Sequence, residues 1–171
     1  QLICYGGSQS IDTPSGYSTV AKQLLKDVNI HTERFYDYFD QGFSKRNDLK
    51  RGIYFSGDVY EKDVTEEDIL RKNISDDDNE AIKIINNYPI SKDSKAALFN
   101  LLKDKTDYLQ GIDSQVEKIN FLKNTSYSDF LRKHLKISEE VVQIYRDTQK
   151  GFWGVGWDAL STMEAYHSGM P

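Results

Sequence analysis

Cysteine is almost absent from this sequence of 171 residues, and Cys4 is its only thiol. An internal disulfide is therefore excluded, although a single cysteine does not indicate a redox compartment. No apolar run approaches the roughly 18 residues that a transmembrane helix needs, so no membrane span is predicted. No signal peptide is visible. Because the chain begins at Gln1 and stops at Pro171, we expect it to be a piece of a longer protein.

An excess of positive charge is also lacking, since 22 basic residues face 27 acidic ones and the net charge is −5. This balance argues against a nucleic-acid partner and is compatible with a cationic ligand, although mild acidity is also usual for soluble proteins. The motifs of serine hydrolases, zinc proteases, dithiol oxidoreductases and P-loop proteins do not occur. The run Asp76–Asp78 lacks the glycine of a calcium loop, so no metal site is predicted.

Apolar residues at helical spacing dominate the chain and predict a mostly α fold of the α+β class. We expect one domain or a fragment of a larger one, with residues 1–60 mixed and residues 61–171 helical. The spacing predicts helices over 16–28 and 32–40, a series of short-looped helices over 79–149, and a last helix from Asp158 to about Tyr166. Ser91 or Ser94, Ser126 and Ser138 are expected to begin helices, and Thr65–Asp68 to precede one.

A strand or hairpin is predicted over residues 51–60, with Gly57 and Asp58 as its turn. Because this element is short, we expect the helices to contribute most of the core.

Both tryptophans of the chain stand in Gly151–Leu160, among three glycines. Trp153, Trp157, Asp158 and Tyr166 are the ingredients of a substrate-binding site for a cation, because aromatic faces attract an ammonium and a carboxylate neutralises it. In the alternative interpretation, the tryptophans are core residues and Asp158 only caps the last helix. The sequence alone leaves both open.

Two glycine-containing segments bear on cofactor binding. Gly154–Ala159 formally matches the dinucleotide pattern G-x-G-x-x-A, but a polar segment precedes it where a buried strand is required. The loop around Gly6 and Gly7 would let the backbone approach a cofactor, or it is a plain turn.

Several stretches in order resemble a known family: Tyr5–Pro14, Arg51–Phe55, Tyr127–Leu131, Gly151–Leu160 and Ser168–Pro171. Together they are similar to the middle part of bacterial FAD-dependent amine oxidoreductases of the spermidine dehydrogenase type. The resemblance covers most of the chain, and the acidic region at 58–90 matches loosely. Members often carry a smaller aliphatic residue where Trp157 stands, which puts spermidine itself in doubt as the substrate.

The resemblance implies a substrate domain whose parent protein binds FAD mainly through segments before and after it, with Gly6 and Gly7 as candidate cofactor contacts here. The parent would oxidise a polyamine-like amine by hydride transfer to the flavin, and this chain alone would be inactive. The implied partners are the amine, the remainder of the flavoprotein and a further copy of the chain, in the cytoplasm or the periplasm. The alternatives are a stand-alone helical interaction module and a parent with the same fold but different chemistry.

Overall fold

A computed structural model describes residues 11–70, 74–75 and 78–171. The chain divides into two compact units, residues 1–49 and residues 50–171. The described residues are mostly helical with a small antiparallel sheet, which confirms the predicted fold class. No helix in the described ranges combines the length and the apolar character that crossing a bilayer requires.

The described part of the first unit, residues 11–49, contains short helical segments. A 3-10 turn at Pro14–Gly16 precedes helix α1 (Thr19–Asp27), a second 3-10 turn at Thr32–Arg34 leads into α2 (Phe35–Tyr38), and α3 covers Phe43–Arg46. Ser18 caps α1, because its Oγ accepts the amide of Ala21 at 3.2 Å. The helix predicted over 16–28 is thus confirmed.

The aromatic helix predicted over 32–40 is only partly formed in this unit. The 3-10 turn and α2 together occupy its first part, and extended backbone at Phe39 ends it (φ −79°, ψ 124°). None of the described residues 11–49 is buried. Without a core to pack against, a helix of this length has little to stabilise it.

The second unit begins with an antiparallel hairpin. Strands β1 (Gly52–Phe55) and β2 (Val64–Glu67) pair so that Gly52 stands opposite Glu67 and Phe55 opposite Val64. The predicted turn at Gly57 and Asp58 is wrong, because helix α4 (Gly57–Tyr60) forms there and the hairpin closes after it. The Asp63 carboxylate accepts the amide of Gly57 at 2.7 Å, which holds the start of α4 beside the second strand.

The helices that follow are α5 (Asn79–Asn87), α6 (Lys92–Lys103), α7 (Gln115–Asn124), α8 (Tyr127–Lys133) and α9 (Glu139–Tyr145). Ser91 and Ser126 cap α6 and α8, since each Oγ accepts a backbone amide at 3.2 Å. Ser138 precedes α9 as expected, but its Oγ instead lies 2.9 Å from that of Ser94. Thr65–Asp68 does not lead directly into a helix as expected, because most of that segment pairs in β2 and residues 69–70 are not helical; residues 71–73, where the helix would continue, lie outside the described residues.

The chain closes with α10 (Lys150–Trp153) and α11 (Thr162–His167). The last helix begins three residues later than predicted, with Ser161 and not Asp158 as its N-cap; the Ser161 Oγ accepts the amide of Glu164 at 3.2 Å. The physical reason is a β-bridge between Ser161 and Ser126, which holds Ser161 in the extended conformation, while residues 157–159 form a turn.

The core of the second unit lies among α5, α6, α8, α9 and the segment before α11. Its largest completely buried side chains are Trp157, Tyr88, Tyr145, Phe55, Ile69, Leu98, Leu131, Val141 and Val142. Main-chain hydrogen bonds tie the C-terminal segment into this core: the amide of Trp157 donates to the Arg146 carbonyl at 2.8 Å, and its carbonyl accepts from Ser128 at 2.9 Å.

Candidate functional site

Trp157 is completely buried in this structure. Its ring meets the edge of the Tyr127 ring at 4.8 Å between centroids and stacks on Tyr145 at 6.0 Å. The indole therefore offers no free face to a ligand here, and its contacts are those of a core side chain.

The other three residues predicted to bind the cation lie at the surface. Trp153 is 41% exposed, and its Nε1 donates to the Ser168 Oγ at 3.3 Å. Asp158 is exposed in the turn that precedes Ser161. Tyr166 is 74% exposed on α11. Of the four predicted residues, only Tyr166 lines the pocket described below, so that pocket does not unite them.

The glycines of this segment have local structural roles. Gly154 ends α10 in the left-handed region, at φ 72°, where a residue without Cβ is favoured. At Gly156 a Cβ atom would meet the Arg146 carbonyl at 2.9 Å and the Asp158 Oδ1 at 2.8 Å. The close backbone approach at Gly156 is thus to the protein's own chain.

The described residues do not fit a cradle for FAD. Their sheet has two antiparallel strands, and the segment that matches the dinucleotide pattern follows helix α10 rather than a strand. Gly6 and Gly7, the residues expected to contact the cofactor, lie outside the described residues. The described part of the chain also contains no group of three or more metal-ligating side chains.

One concavity of the second unit has a mainly apolar lining, a pocket of about 470 Å³ that we call the α7–α11 pocket. Its volume falls within the usual range for small-molecule sites. The end of α6, the loop after it, α7, α8, α11 and the last residues contribute its lining. Most of the lining side chains are apolar or aromatic: Leu101, Tyr108, Leu109, Ile119, Leu122, Tyr127, Phe130, Leu135, Met163, Tyr166 and Met170.

A carboxylate loop borders this pocket, and two aspartate turns shape it. The Asp104 Oδ1 accepts the amide of Thr106 at 2.8 Å, and the Asp107 Oδ1 accepts that of Leu109 at 2.8 Å. Aspartates commonly form such turns with the backbone two residues on. Since α6 ends at Lys103, the turns hold both carboxylates directly after the helix, at the border of the pocket.

The surroundings of Asp104 stabilise its ionised carboxylate. Slight burial works to raise its pKa, but hydrogen bonds from Thr106 and Tyr108 outweigh this and lower the pKa below its usual value. The Tyr108 hydroxyl that donates to Asp104 sits on a ring whose centroid lies 6.2 Å from that of Phe130, edge to face. The same tyrosine therefore orients the carboxylate and forms part of the aromatic wall.

The sequence interpretation missed Asp104, Asp107 and Tyr108. A signal was present, because the segment Asp104–Leu109 places two aspartates two residues before backbone amides they can accept, directly after a helix. No local sequence pattern shows that α11, about sixty residues further along the chain, lines the same pocket.

Two other concavities are weaker candidates. One of about 690 Å³ is lined by Tyr60, Lys62, Ser91 and Glu140 among others, and fewer of its lining side chains are apolar than in the α7–α11 pocket. The other, of about 840 Å³, lies in the first unit, where no described residue is buried and the walls are therefore not rigidly packed.

Comparison with known proteins adds no identification. Neither a protein-family model nor a curated protein sequence matches this chain.

Proposed function

We propose that this chain is the substrate-binding portion of an FAD-dependent oxidoreductase that oxidises an amine by hydride transfer to the flavin. Two observations support the proposal: the ordered sequence resemblance to amine oxidoreductases and the α7–α11 pocket. The observation that carries it is the combination of apolar walls with the carboxylates of Asp104 and Asp107 at one border. An amine with a carbon chain needs both features.

The role assigned to this chain is binding and orientation of the amine. The ionised Asp104 would attract an ammonium group, and the aromatic rings of Tyr108 and Phe130 would favour the same charge. The apolar walls would remove water from the carbon chain, which is the main favourable term for an apolar ligand. FAD would be held by other parts of the protein, because the described residues form no cradle for it.

The test uses the full-length protein that contains this chain. Its absorbance should show a bound flavin, and addition of an amine without oxygen should bleach the flavin bands, because hydride transfer reduces the cofactor. The absence of a flavin, or a flavin that no amine bleaches, would reject the proposal. The variant Asp104→Asn should slow bleaching at low amine concentration more than at saturation, since the aspartate is assigned to binding.

A second candidate function has one specific observation in its favour. Exposed apolar side chains are dense in the first unit, where Val20, Leu24, Phe35, Tyr36, Tyr38 and Phe39 are each more than half exposed. Contiguous exposed apolar surface is typical of protein contacts. A helical interaction module without enzymatic activity would use this surface, and a full-length protein without flavin would favour it.

A further inference from the structure

We infer that the α7–α11 pocket takes an amine with one positive charge joined to an apolar segment, such as an alkylamine or arylalkylamine, rather than a polyamine. This inference rests on the proposed function, since it concerns which amine the same pocket selects. The inference is based on the positions of charged and uncharged side chains in the pocket lining.

Three charged side chains among the described residues line the pocket. Asp104 and Asp107 lie on the loop after α6, and Lys118 lies on α7. These side chains contribute two carboxylates and one ammonium, an excess of one negative side-chain charge. A single cationic group of the ligand therefore balances the charged residues that line the pocket.

The buried part of the lining offers no partner for a second cation. Leu101 and Met170 are apolar there, and the two buried polar side chains already have protein partners. The Tyr127 hydroxyl donates to the Pro171 carbonyl, and the Thr162 Oγ1 donates to the Thr125 carbonyl at 2.9 Å. A second ammonium placed in this part would lose its water without gaining a carboxylate, which is strongly unfavourable.

The apolar walls instead favour ligands with a longer hydrocarbon chain. Ile119, Leu122, Phe130, Leu135 and Met163 contribute apolar side chains to the lining. Each methylene buried against such side chains should raise affinity about fourfold until the space is filled. A polyamine interrupts its carbon chain with charged nitrogens at the positions where these walls need methylenes.

The experiment compares two ligands of equal length that differ by one charge. Calorimetric titration of this chain, with the carboxyl group of Pro171 amidated so that only side-chain charges line the pocket, with octylamine and with 1,8-diaminooctane at pH 7 should give an affinity at least tenfold higher for octylamine. Butylamine and hexylamine should define the increase with chain length. Equal or tighter binding of the diamine, or of spermidine, would overturn the inference, as would the absence of octylamine binding.

Matched variants locate the binding. Asp104→Asn keeps the Oδ1 that accepts the Thr106 amide, so it preserves the turn while it removes the charge and the Oδ2 that accepts the Tyr108 hydroxyl. It should weaken octylamine binding about tenfold or more, whereas Asp113→Asn, an exposed position that does not line the pocket, should leave it unchanged. Leu122→Trp should fill the pocket and also weaken binding. Equal effects of Asp104→Asn and Asp113→Asn would place the site elsewhere and refute the inference.

The two proposals fail in distinguishable ways. If octylamine binds through Asp104 but no amine bleaches flavin in the full-length protein, the oxidoreductase proposal fails and the ligand class stands. If spermidine bleaches the flavin faster than octylamine does, the oxidoreductase proposal stands and the ligand class is wrong.

Discussion

Replacing Trp157 decides whether this residue is a core side chain or part of a cation site. Its exposed fraction is 0%, and it contacts the rings of Tyr127 and Tyr145. Truncation of a buried tryptophan to alanine costs about 3–5 kcal/mol of unfolding free energy. Trp153→Ala is the matched control, because that ring is 41% exposed and its loss should cost about 1 kcal/mol or less.

The unpaired indole nitrogen of Trp157 refines this expectation. Among the described residues, its Nε1 has no hydrogen-bond partner although it is buried. A buried unpaired donor costs about 1–3 kcal/mol. Trp157→Phe keeps an aromatic ring and removes this donor, so the cavity left by the smaller ring is offset in part. We expect the phenylalanine variant to be destabilised by about 1 kcal/mol or less, clearly separated from the alanine variant.

The assay is urea unfolding followed by circular dichroism, with free energies from linear extrapolation. An equal slope against urea in all variants would show that each change acts on the folded state. A cost below about 1 kcal/mol for Trp157→Ala, or a cost equal to that of Trp153→Ala, would refute the buried placement. Such a result would return Trp157 to the set of candidate ligand contacts.

Three further changes test local features. Gly156→Ala should destabilise the protein by about 1–3 kcal/mol in the same unfolding assay, because the nearest backbone atom lies 2.9 Å from the new Cβ, while Gly151→Ala, with nothing within 4 Å, should not. Ser126→Ala should cost about 1 kcal/mol through loss of the α8 cap, and a neutral result would contradict the capping bond. The hydrogen bonds from Arg132 and Gln143 lower the pKa of Glu139 to about 2. The Glu139 carboxylate therefore adds to the free energy of unfolding above the pKa of the unfolded state, and this contribution is lost as pH falls through about 2. Because the pair is solvent-exposed, the contribution is less than about 1 kcal/mol. In Glu139→Gln the free energy of unfolding should vary less with pH over that acidic range.

Helix starts were the most predictable part of the fold. Ser91 and Ser126 cap helices because each side chain satisfies an amide three residues ahead, a bond that depends on neighbouring sequence alone. The last helix was misplaced because Asp158 and Ser161 are both good caps. The choice between them depends on a β-bridge to Ser126, thirty-five residues earlier, which no local pattern reveals.

The hairpin shows the same limit. Gly57 and Asp58 form a good turn sequence, but the Asp63 carboxylate accepts the Gly57 amide and Ser56 accepts that of Asp58, and a helical turn results. For the candidate site, only Tyr166 among the four residues predicted from the sequence lines the pocket, and its role in binding a cation stays a prediction. It could not identify the carboxylate loop as part of a pocket, because the walls meet only through packing of α7, α8 and α11. The contacts expected of Gly6 and Gly7 remain predictions.

Tyr127 belongs at once to the floor of the α7–α11 pocket and to the packing around Trp157. A pocket that shares a buried tyrosine with the folding core depends on the packing of that core, so this part of its lining should persist as long as the second unit stays folded. Occupancy and global stability are then thermodynamically linked: a ligand at one hundred times its dissociation constant would add about 2.7 kcal/mol to the unfolding free energy. Amide hydrogen exchange in the core, far from any ligand atom, would therefore slow as the pocket fills.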